Sequence, residues 1–392
     1  MVDLGTLATP AVAFVSAEQD APAAVISASH NPYHDNGIKF FLPGGLKLAD
    51  ATERRIEAEL ETIQAGSAGA AMRKGASLGR LERDEGALAR YEKHVVSCLE
   101  GRDLSGMRVV LDCANGAAYA SAPDVLRAAG AEVVSVLGAE PDGTNINHEC
   151  GSTHPDALAG AVLAHGADIG LAFDGDADRV IAVAQDGQVV DGDRILALLA
   201  RDMHQQGLLG GGTVVVTVMT NLGFHRAMEP AGVRVHTVAV GDRYVLEALD
   251  ANGWSLGGEQ SGHIVFRALA TTGDGVLSGL LLADLVRRLG APLHELAGSV
   301  MDKYPQVLTN VRVARREALA GADEVWAEVS RVEASLGREG RVVLRPSGTE
   351  PLVRVMVEAR SEQQAQDCAG RLVGALHRAL GEAEPGPSVG RA

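Results

Sequence analysis

The chain has 392 residues, 46% of them hydrophobic and 22% charged, the balance of a folded globular protein rather than a disordered one. Its 51 acidic residues against 35 basic ones, a formal net charge of −16, speak against nucleic acid or an anionic membrane as partner, because phosphate-rich surfaces are held by basic ones. Cys98, Cys113, Cys150 and Cys368 form no Cys-x-x-Cys pair, no apolar run of about 18 residues occurs and no basic-then-apolar leader opens the chain, so a cytoplasmic protein without disulfides, structural zinc or a membrane span is expected.

Apolar strand-like runs alternate with helix-like segments, the pattern of α/β architecture. Ala23-Ala24-Val25-Ile26 reads as a buried strand. It runs into Ser27-Ala28-Ser29-His30-Asn31-Pro32, which sets a hydroxyl beside a His at a turn fixed by Pro. From these residues alone, a nucleophile and an ordinary Ser/Asn turn both stand. The Gly/Ala-rich stretch 65–76 reads as a loop. Arg108-Val109-Val110-Leu111-Asp112, a helix over 120–129 closed by Gly130, and a strand over 131–136 make a βαβ unit.

Phe173-Asp174-Gly175-Asp176-Ala177-Asp178-Arg179 lies between strand-like runs at 167–173 and 180–184. Three carboxylates at alternate positions repel one another unless a hard cation lies between them, and an all-oxygen set favours Mg²⁺. An EF-hand fails, since the sixth loop position is Arg179 and the twelfth Gln185 where Gly and Glu are required. The stretch 186–193 reads as a passage between units. A second βαβ unit follows, from Thr213-Val214-Val215-Val216-Thr217 through a short helix near Phe224 to a strand at 233–237.

Gly257-Gly258-Glu259-Gln260-Ser261-Gly262-His263 places hydrogen-bonding side chains among glycines, suited either to a polyol or to a plain turn. A further passage is read at 301–309. A helix over 322–336 closed by Gly337, a strand pair at 341–344 and 352–358, and a last helix over 361–380 complete the pattern. Between those strands, Arg345-Pro346-Ser347-Gly348-Thr349-Glu350-Pro351, with Arg354 beyond, offers guanidiniums, hydroxyls and backbone N–H groups to a phosphate. A solvated Arg-rich turn is the alternative, and a Walker loop is excluded because no Gly-Lys-Ser/Thr follows.

In this order the four motifs, Ser-Ala-Ser-His-Asn-Pro, Asp-Gly-Asp-Ala-Asp-Arg, Gly-Glu-Gln-Ser-Gly-His and Arg-Pro-Ser-Gly-Thr-Glu-Pro, resemble those of the α-D-phosphohexomutase superfamily. The stretches from His30 to Phe41, from Met219 to Gly223, from Val240 to Val245 and from Thr272 to Gly275 are similar to those of its amino-sugar branch, the phosphoglucosamine mutases. That resemblance implies an α/β chain of three mixed α/β sandwich-type domains built of βαβ units, plus a C-terminal α+β domain, around a central cleft. The boundaries expected are 1–83, 84–186, 187–302 and 303–382, with a disordered tail at 383–392.

The resemblance also implies interconversion of glucosamine 6-phosphate and glucosamine 1-phosphate, through a phosphoserine at Ser29 and glucosamine 1,6-bisphosphate, supplying UDP-N-acetylglucosamine and cell-wall precursors. Phosphomannomutase/phosphoglucomutase activity and a non-catalytic sugar-phosphate binder are the alternatives. One Mg²⁺ would be held by Ser29, Asp174, Asp176 and Asp178. Gly241, Asp242, Arg243, Glu259, Ser261, Arg345, Ser347, Gly348, Thr349 and Arg354 would bind substrate. Lys39 and His263 would move protons, with His30 and Arg179 as electrostatic support. The partner expected is a phosphorylated hexosamine, and the assembly a monomer or homodimer. Family members open with a Gly-Thr-Asp-Gly-x-Arg segment that has no counterpart here, so the first domain is expected to lack its opening strand and helix and to expose a sheet edge.

Overall fold

The computed structural model describes residues 1–65, 79–347 and 352–382. They form two compact units: Met1–Thr217 with Ala231–Val300, and Val218–Pro230 with Met301–Ala392. The loop expected at 65–76 and the tail at 383–392 lie almost wholly outside the described residues.

Three larger sheets organise the first unit. The strand Ala23–Ser27 pairs antiparallel with Gly37–Leu42, which pairs with Leu46–Lys47. The apolar run at 23–26 does make a strand, but not a buried one. Ile26 is 73% exposed and its cross-strand partner Ile38 58%. Among the described residues one face of this sheet is covered, by the helix Thr9–Gln19, and a run of apolar residues does not say how many faces are covered. Ala23–Ser27 is also an edge strand among the described residues, and Val2–Asp3 pairs instead with Glu82–Arg83.

The second sheet holds the βαβ unit. Arg108–Asp112 and Glu132–Leu137 run parallel on either side of the helix Ala118–Ala128, and Gly130 turns the chain at φ +93°. Arg108–Asp112 pairs on its other edge with Ile169–Phe173, which forms an antiparallel hairpin with Val180–Ala184. Every residue of that hairpin's two strands is buried, so its turn is held rigidly at the strand ends. The stretch at 186–193 is not a plain passage. Val189–Val190 pairs with Val180–Ala184, and Asp191 caps the helix Gly192–Gln205 by accepting from Arg194 N at 3.1 Å.

In the third sheet Thr213–Thr217 pairs parallel with Arg234–Val238, as expected, and also with Leu256–Gly258, which turns back into Ile264–Phe266. The connecting helix Leu222–Met228 belongs to the second unit rather than to this sheet. The buried Glu358 carboxylate draws it there, accepting from Asn221 Nδ2 at 3.1 Å and from Leu222 N at 3.0 Å.

In the second unit, Gln306–Arg312, Leu352–Glu358 and Arg341–Pro346 form an antiparallel sheet with Leu352–Glu358 central. The helices Asp323–Leu336 and Glu362–Leu380 cover it with a core that includes Val332, Val353, Val355, Leu372 and Leu376. The passage expected at 301–309 is therefore half strand. Gln306, Thr309, Asn310 and Arg312 hide it from a hydrophobicity pattern because it is an edge strand.

Candidate active site

Ser29 stands two residues beyond the end of Ala23–Ser27, with backbone φ +51°. A non-glycine residue in this left-handed region costs roughly 1–2 kcal/mol, and such conformations gather at functional sites. Three contacts fix it locally. Its N–H donates to Ser27 Oγ at 2.8 Å, its Oγ lies 3.2 Å from His30 Nδ1, and the same Oγ donates to Asp174 Oδ2 at 3.4 Å. Burial, with Arg179 adding to it, lowers the pKa of His30, so a neutral imidazole faces the hydroxyl.

The carboxylates expected from the sequence do converge. Asp174, Asp176 and Asp178 occupy the turn of the buried hairpin, are themselves buried, and offer ligand oxygens within 4.8 Å of one another. Burial first, then the charges of Asp178 and Asp176, push Asp174 well above the usual carboxylate range. Burial also pushes Asp178 upward, but His263, Lys39 and Arg179 outweigh it and hold Asp178 well below that range. Among the described residues, Asp176 Oδ1 and Asp178 Oδ1 are buried and make no hydrogen bond. Buried oxygens left this way are costly, and a divalent cation bound by oxygen ligands satisfies them. The donor set therefore fits a hard metal ion.

Around this turn the cations are close. Lys39 Nζ lies 2.6 Å from Asp176 Oδ2 and 3.0 Å from Asp178 Oδ2. Although burial works against it, the pull of Asp178 and Asp176 raises the Lys39 pKa, so its ammonium stays charged. Arg179 Nε lies 3.9 Å from Asp174 and 3.7 Å from Asp178. His263 is buried, with Nδ1 3.5 Å from Asp178 Oδ1 and Nε2 3.6 Å from Asp242 Oδ2.

The glycine-rich loop 257–263 is docked against the same hairpin. Val180 N donates to Gly262 O at 3.1 Å, Gly192 N to Gln260 O at 3.1 Å, and Gly241 N to Glu259 Oε1 at 3.2 Å. Ser261 Oγ is buried without a hydrogen bond among the described residues. Asp242 pairs with Lys47, and Arg243 with Glu53 at 2.6 Å. Ser29, His30, Lys39, the three aspartates, Arg179, Glu259, Ser261, His263 and residues 241–243 thus all belong to the first unit.

Arg345, Ser347 and Arg354 belong to the second unit, while Gly348 and Thr349 lie outside the described residues. Arg345 and Arg354 are direct cross-strand partners. Ser347 is buried at the end of the strand, its N–H donating to Leu352 O at 2.9 Å and its carbonyl accepting from Arg316 Nη1 at 2.7 Å.

Three contributors escape a reading of the sequence. Thr9 Oγ1 donates to Asp176 Oδ2 at 2.5 Å, Lys47 pairs with Asp242, and Asn147 Nδ2 donates to the Ser29 carbonyl at 2.8 Å. Each is a single residue far along the chain from its partner.

Four family models match in succession. Phosphoglucomutase/phosphomannomutase alpha/beta/alpha domains I, II and III match residues 1–67, 89–187 and 191–304, and the C-terminal domain of the same family matches 308–375. The phosphoglucosamine mutase of Thermobifida fusca (strain YX) is 53% identical over 373 residues, 95% of this chain and 81% of its own. That of Rhodococcus opacus (strain B4) is 53% identical over 377 residues, 96% and 83%. Among solved structures, a phosphoglucomutase/phosphomannomutase family protein from Burkholderia thailandensis superposes with TM-score 0.77 at 25% identity, covering 98% of this chain and 83% of that one. Aspergillus fumigatus N-acetylphosphoglucosamine mutase, in complex with GlcNAc-6P and magnesium, has TM-score 0.72 at 19% identity, covering 95% and 93%, and shares the fold.

Proposed function

The chain belongs to the phosphoglucomutase/phosphomannomutase family, and on that footing we propose that it interconverts glucosamine 6-phosphate and glucosamine 1-phosphate through a phosphoserine at Ser29. The observation that carries this reading is the Ser29 hydroxyl, held on left-handed backbone 3.4 Å from Asp174 and 3.2 Å from a neutral His30. The 53% identity to phosphoglucosamine mutases supports the amino sugar as substrate.

In the forward direction the bond between phosphorus and Ser29 Oγ breaks, and a new one forms to the anomeric oxygen of glucosamine 6-phosphate, whose proton passes to solvent water. The bisphosphate then presents its 6-phosphoryl group. The bond from that phosphorus to O6 breaks as one to Ser29 Oγ forms, O6 takes a proton, and glucosamine 1-phosphate leaves the rephosphorylated serine. A Mg²⁺ held by Asp174, Asp176, Asp178 and the Ser29 phosphoryl oxygen would neutralise the charge of the transferring group.

The chain's own residues do the rest. Arg179, ion-paired to Asp174 and Asp178, adds positive charge beside the hydroxyl. Lys39, charged beside Asp176 and Asp178 and with its side chain 31% exposed, is assigned donation of a proton to the sugar oxygen as its phosphoryl group departs. His263, 3% exposed between Asp178 and Asp242, is assigned to fixing those two carboxylates. Glu259 and Ser261 take sugar hydroxyls, together with residues 241–243. Arg345, Ser347, Gly348, Thr349 and Arg354 take the phosphate that does not react. The four free thiols are in keeping with work in the reducing cytoplasm.

A coupled assay tests the assignment by comparing glucosamine 6-phosphate with mannose 1-phosphate and glucose 1-phosphate. The highest kcat/KM is expected for the amino sugar. Faster turnover of either neutral sugar would transfer the assignment to phosphomannomutase/phosphoglucomutase activity. A folded chain inert on all three would make it a sugar-phosphate binder.

A further inference from the structure

Asn147 lies on the loop between the strand Glu132–Leu137 and the helix Asp156–His165, 118 residues along the chain from Ser29, and is 8% exposed. Its side-chain nitrogen donates to two carbonyls of the serine loop, Ser29 O at 2.8 Å and Asn31 O at 2.8 Å. A primary amide has two N–H groups, and both are used here. Two carbonyl acceptors also settle which end of the amide faces the loop, because the amide oxygen there would be repelled. The Ser29 carbonyl receives a second donor, Gly175 N at 3.1 Å, from the turn that carries the aspartates.

Asn147 is itself anchored. Its own N–H donates to Ala114 O at 2.8 Å, and its backbone is left-handed at φ +59°, a conformation Asn accepts more readily than most residues. The buried Asp112 carboxylate, at the end of a central strand, accepts from Ala114 N at 2.9 Å and from Gly151 N at 2.8 Å. A continuous set of hydrogen bonds therefore runs from a central strand of the second sheet to the carbonyl of the residue that carries the nucleophile.

We propose that Asn147 is a positioning residue for phosphoryl transfer, clamping the carbonyls of Ser29 and Asn31 so that the Ser29 hydroxyl stays aimed at the Asp174 side of the site. The inference rests on the phosphoserine reading above. In-line transfer depends on alignment, and a shift of about 1 Å at a reacting atom lowers rates by about 100-fold. Asn147 commits both of its side-chain N–H groups to the loop that carries the nucleophile. Its loss should lower kcat while sparing substrate and metal affinity.

Two variants separate the clamp from the fold. Asn147→Asp keeps the shape but turns an acceptor toward two carbonyls, and Asn147→Gly keeps the left-handed backbone without a side chain. The measurements are the rate at which Ser29 acquires a phosphoryl group from glucosamine 1,6-bisphosphate, read by intact mass, with kcat, KM for glucosamine 6-phosphate, Mn²⁺ affinity and Tm. Uptake and kcat are expected to fall about tenfold or more in both variants, with KM and Mn²⁺ affinity within about twofold of the parent. Uptake at the parental rate in Asn147→Gly would overturn the clamp. So would a loss shared equally by KM, Mn²⁺ affinity and Tm, which would make the residue merely structural. A parent chain that never acquires a phosphoryl group would overturn the phosphoserine reading and this inference with it. An active parent matched by its variants would overturn only the role of Asn147.

Discussion

At the scale of single residues, the site is a problem in burying charge. Three carboxylates at alternate positions of one buried turn are held by Lys39, Arg179, His263 and Thr9, yet two of their oxygens still make no hydrogen bond among the described residues. Removing one carboxylate charge should weaken the cation site most directly. Asp176→Asn is expected to lower Mn²⁺ affinity by about tenfold or more, measured by titration calorimetry, and unchanged affinity would place the ion elsewhere. A second carboxylate titrates for structural reasons. Asp274 accepts from Tyr91 OH at 2.9 Å and from Leu277 N at 2.9 Å, and burial raises its pKa to about 6. The folded state thus binds a proton more tightly than the unfolded chain, whose carboxyl titrates at 3.8. The stability this group contributes is full below the unfolded value and falls as pH rises toward about 6. Thermal melts across that window should show the decline in the parent and a flatter dependence in Asp274→Asn. Equal slopes in the two proteins would contradict it.

At the scale of elements, the aspartate turn is held by a hairpin whose two strands are wholly buried, and it packs closely on the serine loop. Gly175 shows how tight the approach is. A Cβ there would lie 2.6 Å from Ser29 O and 2.5 Å from Ile146 Cδ1. Gly175→Ala must push the aspartate turn away from the serine loop, and a loss of about 1–3 kcal/mol is expected in denaturant melts, together with slower turnover. Parental stability and rate would mean the two loops are not in contact. Elements of this kind were legible where pattern and punctuation agree. Arg108–Asp112, Glu132–Leu137 and Gly130 were read correctly, as was the helix Glu362–Leu380 behind Ser361. Legibility failed where burial depends on the neighbours. Ile26 belongs to an apolar run yet faces solvent, and Gln306–Arg312 is a strand whose polar residues lie on an edge.

At the scale of the molecule, the motifs that name the chemistry are those whose working residues are neighbours in sequence. Asp174, Asp176 and Asp178 advertise a cation by repelling one another, and Ser29 gains meaning once they are known to lie beside it. Asn147, Thr9 and Lys47 were not legible, because each is an ordinary residue until folding brings it to Ser29, Asp176 or Asp242. The helix Leu222–Met228 was legible as a helix, but its grouping with Glu358 depends on a hydrogen bond spanning 136 residues. The central claim is that Ser29 carries the phosphoryl group. Intact-mass measurement of the chain and of Ser29→Ala, before and after incubation with glucosamine 1,6-bisphosphate, tests it most directly. One phosphoryl group on the parent, mapped to Ser29, and none on the variant is the expected result. A fully active protein that is never phosphorylated, or a variant that still acquires the group, would contradict it.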